Sequence, residues 1–349
     1  MDVHDFHRSL PGYAPTPLTP VADLATELGV GAVFVKDESD RLGLPAFKIL
    51  GASYAISRAV SARLGRPSAA YPLDELRARI AGSTVSLVAA TDGNHGRAVA
   101  RVAHLLGISA AIYVPTEVSE AAKDAIRAEG AHLVELAVPY DAVVVHAAAV
   151  SGGDAVLIQD TSWEDYRDIP QWIVAGYDTL LAEVDEQLEN AGCDRVDLVV
   201  VPAGVGSFAQ AVVAHYRTNG HRPALMVVEP DTAASVTSSL NTGQICPVPT
   251  GDTVMTGLNC GTVSEIAWPV LSSGLDASVT VTDRDALDAM NALDAFGIDA
   301  GPCGAATLAG ARRVLADPER RTQLGVGNDA VVVLLNTEGR AANPKTFAR

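Results

Sequence analysis

The chain is short of positive charge. Its 349 residues include 25 Lys and Arg against 42 Asp and Glu, a formal net charge of −17. Such a chain is repelled by nucleic-acid phosphates and by anionic membrane surfaces, so neither is expected as a partner. An anionic ligand must find a local positive site, such as a helix N-terminus. Cysteine is scarce as well. Cys193, Cys246, Cys260 and Cys303 are scattered, with no C-x-x-C pair and no metal-ligand spacing. This argues against a disulfide framework and a metal site, and suits a reduced, cytoplasmic setting. No apolar run approaches the ~20 residues that cross a bilayer. The opening Met-Asp-Val-His-Asp carries no basic and apolar export signal. Internal repeats and low-complexity tracts are missing too, and aromatic residues make up only 5% of the chain.

What is present is aliphatic. The sequence is 48% hydrophobic with 30 glycines, a composition that suits an α/β protein with buried parallel strands. Its length exceeds what a single core usually holds, so two lobes are expected. The strand–helix alternation is readable in order. A short helix over 21–29 precedes a strand at 32–35, a charged loop, and a helix from Lys48 to about Leu64. Strands are expected at 85–90, 110–114, 132–136, 156–159, 196–201, 224–228 and 330–335. Helices over 97–106, 119–129, 140–151, 169–190, 207–216, 283–296 and 304–315 lie between most of them, and 230–280 reads as a long irregular region. Alternation of this kind implies parallel pairing with right-handed crossovers. A small lobe at 53–160 is expected, inserted in a large lobe formed by 1–52 and 161–349.

Lys48 lies in Ala-Phe-Lys-Ile-Leu. A lysine among apolar neighbours can lose solvation, which lowers its pKa and prepares it for Schiff-base chemistry. On its own the same pattern describes a snorkelling lysine with its head in water. Ala203-Gly-Val-Gly-Ser207 sits between a strand and a helix, where backbone N–H groups and the helix dipole can hold a phosphate. It reads equally as a tight turn. Thr91-Asp-Gly-Asn-His-Gly96 is a second strand-to-helix turn. There Asn94 can bond a cofactor oxygen and Asp92 can accept a proton, or Asp92 can simply cap the helix. His95 reads as a packed residue. Asp160 opens the acidic loop Asp-Thr-Ser-Trp-Glu-Asp-Tyr166 and can hold an ammonium; Trp163 and Tyr166 can anchor that loop to the core. Thr337, in Asn336-Thr-Glu-Gly339, can bond a ring nitrogen or form a local turn.

Taken together and in this order, these segments resemble fold-type II pyridoxal-phosphate enzymes, the superfamily of tryptophan synthase β and threonine dehydratase. Within it the resemblance is to the diaminopropionate ammonia-lyases, and it covers nearly the whole chain. The Asp of Thr-Asp-Gly-Asn-His-Gly and the run Val35-Lys-Asp-Glu-Ser-Asp-Arg-Leu-Gly-Leu-Pro-Ala-Phe-Lys48 carry the subfamily likeness. The resemblance implies an α/β architecture of two lobes, each with a mostly parallel sheet flanked by helices. It implies pyridoxal 5′-phosphate as cofactor, with Lys48 as the Schiff-base lysine. Gly204, Val205, Gly206 and Ser207 would hold the phosphate, Asn94 the ring oxygen and Thr337 the ring nitrogen. Lys48 or Asp92 would remove the Cα proton, depending on whether the substrate is the L or the D isomer. Asp160, with Thr91 and His95, would bind a small amino-acid substrate. Elimination of its β-amino group would leave pyruvate and ammonia, and family habit suggests a homodimer. A serine/threonine dehydratase or β-replacement synthase on the same scaffold is the competing enzyme reading. A non-catalytic cofactor binder or amino-acid sensor is the competing reading of another class.

Overall fold

In the computed structural model, residues 1–66, 70–218 and 222–343 are described. The aliphatic runs form strands, because β-branched side chains stack well on a pleated surface. In chain order these are β1 (Leu18–Pro20), β2 (Ala32–Asp37), β3 (Ser86–Ala90), β4 (Ser109–Pro115), β5 (His132–Leu136), β6 (Ala155–Leu157), β7 (Leu198–Pro202), β8 (Ala224–Pro230), β9 (Ala277–Val281) and β10 (Val331–Asn336). They build a six-stranded sheet, ordered β1-β2-β10-β7-β8-β9, and a four-stranded sheet, ordered β5-β4-β3-β6. Every pairing is parallel except β1 with β2.

Packing groups the chain into two compact units. One contains Met1–Ala14 and Leu42–Thr179, and with them the four-stranded sheet. The other contains Pro15–Arg41 and Leu180–Ala341, and with them the six-stranded sheet. The boundaries expected at 52/53 and 160/161 both fall inside the first of these units.

In the six-stranded unit, β7 is buried along its whole length, as a strand covered on both faces must be. The helix Pro302–Leu315 packs over β7, β8, β9 and β10. Proline at its first position costs no hydrogen bond, because that N–H has no partner inside the helix. The charged loop after β2 forms as expected, and with the end of the strand it is buried, since Lys36, Glu38 and Arg41 are all inaccessible to solvent. The Lys36 amine donates to the Thr16 carbonyl (2.8 Å), Glu183 Oε2 (2.7 Å) and Gln187 Oε1 (2.9 Å). The Arg41 guanidinium holds both oxygens of Glu38 (2.8 and 2.6 Å) and both of Glu183 (2.7 and 2.7 Å). Two cations meet two carboxylates, so the desolvated charges cancel. Burial raises the Glu183 pKa, but its hydrogen bonds and ion pairs with Arg41 and Lys36 outweigh that and hold it down to about 2.

Region 230–280 is more regular than expected. It contains helices Ser235–Thr242 and Trp268–Gly274, a 3-10 turn at Thr256–Leu258, and β9. Ser-Val-Thr-Ser-Ser-Leu-Asn-Thr has poor intrinsic helix propensity. Its first turn is stabilised from outside, where the buried Glu229 carboxylate accepts the amides of Val236 (2.7 Å) and Thr237 (2.8 Å). A cap from the preceding strand leaves no local sequence signal.

In the four-stranded unit, helices Asn94–Leu106 and Tyr140–Val150 pack on β3 and β4. The helix Lys48–Arg63 runs against residues 173–177 at glycine contacts. A Cβ on Gly51 would lie 2.6 Å from a Tyr177 ring carbon, and one on Gly176 would lie 2.6 Å from the Leu50 carbonyl oxygen. Only glycine permits that approach. Gly51→Val is therefore expected to destabilise the fold by about 1–3 kcal/mol through overpacking. Unfolding by urea measures this, and a variant as stable as the parent refutes the packing.

Candidate active site

Lys48 is the first residue of its helix, directly after Phe47. In the four-stranded unit its amine donates to Asp160 Oδ2 at 2.8 Å, with side-chain exposures of 20% for Lys48 and 8% for Asp160. The Phe47 and Tyr177 rings flank it, with centroids 5.4 and 6.0 Å from Nζ. The expected fall in the lysine pKa does not occur. Burial pulls it down, but the Asp160 charge, with Tyr177 and Asp92 adding to it, holds the amine well above the ordinary lysine range. Burial likewise raises Asp160, and the Lys48 charge more than reverses this, to about 2. At rest the pair is an ammonium and a carboxylate. The apolar neighbours in sequence were the wrong environment to weigh, since the partner lies 112 positions away.

Asp160 follows β6 and is held from behind. Gln159 Nε2 donates to the Tyr140 hydroxyl (3.0 Å) and reaches Asp160 Oδ1 (3.4 Å), while its Oε1 accepts the Ala90 amide (3.0 Å). The Tyr166 hydroxyl accepts the Gln159 amide (2.9 Å) and donates to the Leu157 carbonyl (2.9 Å). Trp163 stacks on Tyr166 with centroids 4.5 Å apart, and both rings pack on the core formed by Val88, Val143 and Leu157. The loop is anchored by its aromatics, as one sequence reading allowed.

The turn after β3 brings the next residues in. The helix begins at Asn94 rather than at Arg97. The Thr91 hydroxyl accepts the amides of Gly93 (2.9 Å) and Gly96 (3.0 Å), so Thr91 is taken up by its own turn. Asp92 and Asn94 are half-buried. His95 is 3% exposed, with Nε2 at 2.8 Å from the Ile158 carbonyl and Nδ1 at 4.0 Å from Asp160 Oδ2. Burial lowers the His95 pKa more than Asp160 raises it. Lys48, Asp160 and His95 thus form one cluster, and the Asp92 charge acts on it. Sequence reasoning missed Gln159 and Tyr177. A polar residue ending an apolar run was the available hint for Gln159; Tyr177 left none.

In the six-stranded unit, residues 203–206 (Ala-Gly-Val-Gly) link β7 to the helix Ser207–Thr218. Gly206 has φ +91°, a conformation that favours glycine. A Cβ on Gly204 would lie 3.0 Å from both Cys260 Sγ and the Gly257 carbonyl oxygen. This cradle of backbone amides at a helix start fits an anion such as phosphate. Thr337 follows β10 and is 5% exposed. Each unit thus offers one feature taken by itself: the first a lysine amine of the kind that an aldehyde cofactor takes, the second a side-chain-free turn that suits a phosphate.

Residues 10–338 match the family model described as pyridoxal-phosphate dependent enzyme. The diaminopropionate ammonia-lyase of Salmonella typhimurium is 38% identical over 295 residues, 81% of this chain and 72% of that protein. The diaminopropionate ammonia-lyase of Escherichia coli K12 is 36% identical over 350 residues, 96% of this chain and 86% of that one. A crystal structure of the Escherichia coli enzyme in complex with an aminoacrylate-PLP azomethine reaction intermediate superposes with a TM-score of 0.87. It is 32% identical and covers 99% of this chain and 89% of its own.

The ion pair makes stability depend on pH. Asp160 sits below its unfolded value of 3.8, so its contribution is complete above that pH and is lost as pH falls toward about 2. Lys48 sits above 10.5, so at the alkaline end the pair survives beyond that value. Asp160→Asn is expected to be less stable than the parent by on the order of 2 kcal/mol at neutral pH, with the gap closing in acid. Urea unfolding across pH tests this, and a gap of constant size would rule out the ion pair as its cause.

Proposed function

Because this chain belongs to the family of pyridoxal-phosphate dependent enzymes, we propose that it is an ammonia-lyase. It eliminates the β-amino group of 2,3-diaminopropionate, or of a close β-substituted amino acid, and yields pyruvate and ammonia. The observation that carries this reading is the cluster around Lys48: one ammonium at 2.8 Å from the buried Asp160 carboxylate, within the field of a second carboxylate, Asp92. A protein that merely binds the cofactor has no use for both acids. The likeness to diaminopropionate ammonia-lyases supports the same substrate.

When bound, pyridoxal phosphate supplies an aldehyde that amines attack and a conjugated ring that spreads the negative charge left at the substrate Cα. Lys48 would hold the aldehyde, Asn94 the ring oxygen, and Gly204, Val205, Gly206 and Ser207 the phosphate. Thr337 would give the ring nitrogen a neutral partner, which suits a reaction whose charge departs with the β-substituent. Lys48 and Asp92 take the Cα proton, one for each substrate hand. Without the cofactor Asp160 keeps the Lys48 amine protonated; once a substrate frees that amine, Lys48 would act as a base when Asp160 has gained another cation. The β-ammonium of the substrate is such a cation. The four cysteines, none of them in a disulfide among the described residues, support a reduced, cytoplasmic setting; a homodimer completes the proposal on the resemblance alone.

Pyruvate release from diaminopropionate and from serine decides between lyase and dehydratase. The first should exceed the second by at least tenfold, on the order of one well-placed charged hydrogen bond. Lys48→Ala should lose the bound cofactor's absorbance band together with turnover; a variant that keeps the band refutes the lysine assignment. Asp92→Asn should slow one enantiomer of diaminopropionate by about 10²-fold or more and the other much less, and equal losses would remove it as a base.

A further inference from the structure

His95 carries an unexplained feature. Its Nε2 lies 2.8 Å from the Ile158 carbonyl, which can only accept, so the ring proton sits on Nε2. Nδ1 is then a bare lone pair. It is buried and has no hydrogen-bond partner among the described residues. It lies 4.0 Å from Asp160 Oδ2, the oxygen that holds the Lys48 ammonium. Asp160 cannot turn that oxygen away freely, since Gln159 reaches its other one. A buried acceptor left without a donor is unfavourable. Two acceptors face one place, and the cation found beside them is the Lys48 ammonium.

We propose that Asp160 Oδ2 and the bare Nδ1 of His95 together form a receptor for the β-ammonium of the substrate, one that accepts protons and offers none, and that His95 thereby selects ammonia over water as the leaving group. The proposal rests on the ammonia-lyase reading and deepens it. A β-ammonium already carries the proton it needs. The Cα–H bond breaks and its proton goes to Lys48 or Asp92. The electron pair forms the Cα=Cβ bond, the Cβ–N bond breaks, and its pair leaves on nitrogen as neutral ammonia. A β-hydroxyl leaves as water only if a proton is delivered to it, and this receptor has none to give. Protonation of His95 Nδ1 reverses that, because the imidazolium repels an ammonium and can donate to a hydroxyl. The charged groups acting on His95 are Asp160 and Lys48; Asp92, in the same turn, and Tyr177 act on Lys48. Burial disfavours the imidazolium, so the change belongs on the acid side of the ordinary histidine range.

Three measurements test it. In the cofactor-free protein at neutral pH, nitrogen NMR of histidine should find the His95 proton on Nε2 and Nδ1 bare; a proton on Nδ1 overturns the proposal. In the parent enzyme, the ratio of kcat/KM for diaminopropionate to that for serine should fall several-fold from about pH 8 to about pH 5.5. A ratio that stays flat or rises also overturns it. His95→Gln can keep the bond to the Ile158 carbonyl while losing the second acceptor. It should retain the cofactor's absorbance band and lower the same ratio about tenfold, chiefly through diaminopropionate. Equal losses on both substrates would mean a merely structural role. If this variant does not fold, the NMR and the pH profile of the parent decide. A parent that binds the cofactor and releases no pyruvate from diaminopropionate overturns the ammonia-lyase reading and this one with it. A parent active on diaminopropionate with an unmoved ratio overturns only the role of His95.

Discussion

A single charge compensation governs the candidate site: the Lys48 ammonium against the Asp160 carboxylate at 2.8 Å. Each ion alone would be expensive to bury, and the lost hydration is offset only while both are present. The pair therefore fixes more than one contact. It sets the protonation of Lys48 in the cofactor-free chain, where the amine is held as a cation rather than as a nucleophile. It also sets what Asp160 can accept next, because the carboxylate stays ionised through the whole range in which proteins work. A ligand that brings its own ammonium can replace Lys48 without leaving a bare charge behind. Storage and release are then the same exchange, with no change in net charge around Asp160.

The scaffold serves this exchange by holding its members still. Gln159 and Tyr166 tie Asp160 to the ends of β3 and β6 through hydrogen bonds of 2.9–3.0 Å. Gly51 and Gly176 let their helices approach to backbone contact, which presses Tyr177 beside Lys48. The six-stranded unit uses the same logic for another purpose. Lys36, Glu38, Arg41 and Glu183 cancel one another completely, and their donors are spent on fixed partners. Among the described residues, that cluster leaves no buried side-chain atom without a partner. The Lys48 cluster does have one, the Nδ1 of His95. Two buried ionic groups of similar composition thus differ in whether a lone pair is left over.

The sequence was legible where the information is local. Strands show as aliphatic runs, and Gly29 and Gly107 end their helices in left-handed conformations, as a reader of helix stops expects. The motif residues follow strand ends, where ligands of open α/β sheets bind. Legibility failed where the controlling partner is remote. The helix Ser235–Thr242 depends on Glu229 in the preceding strand. The sequence gives no sign that the charged run 36–41 is buried, because its partner Glu183 lies far along the chain. The sign of the Lys48 shift depends on Asp160 and was misread from Phe47 and Ile49. The resemblance supplied the roles of the motif residues. It gave no account of Gln159, which lies just before Asp160 in the sequence.

The misread sign is itself informative about mechanism. A lysine with a lowered pKa would be a ready nucleophile and base at neutral pH, whatever ligand arrived. This one is held as an ammonium by a carboxylate that prefers cations, so its readiness depends on what the ligand carries. On the proposed reading, a monoamino acid would offer one amine to the cofactor and no second cation to Asp160. A diamino acid would offer both, and its second ammonium would satisfy Asp160 and free the amine of Lys48. Substrate choice and activation of the base would then be two consequences of one ion pair. A preference for a second amine would need no separate specificity pocket, because a buried carboxylate is costly without a cation beside it.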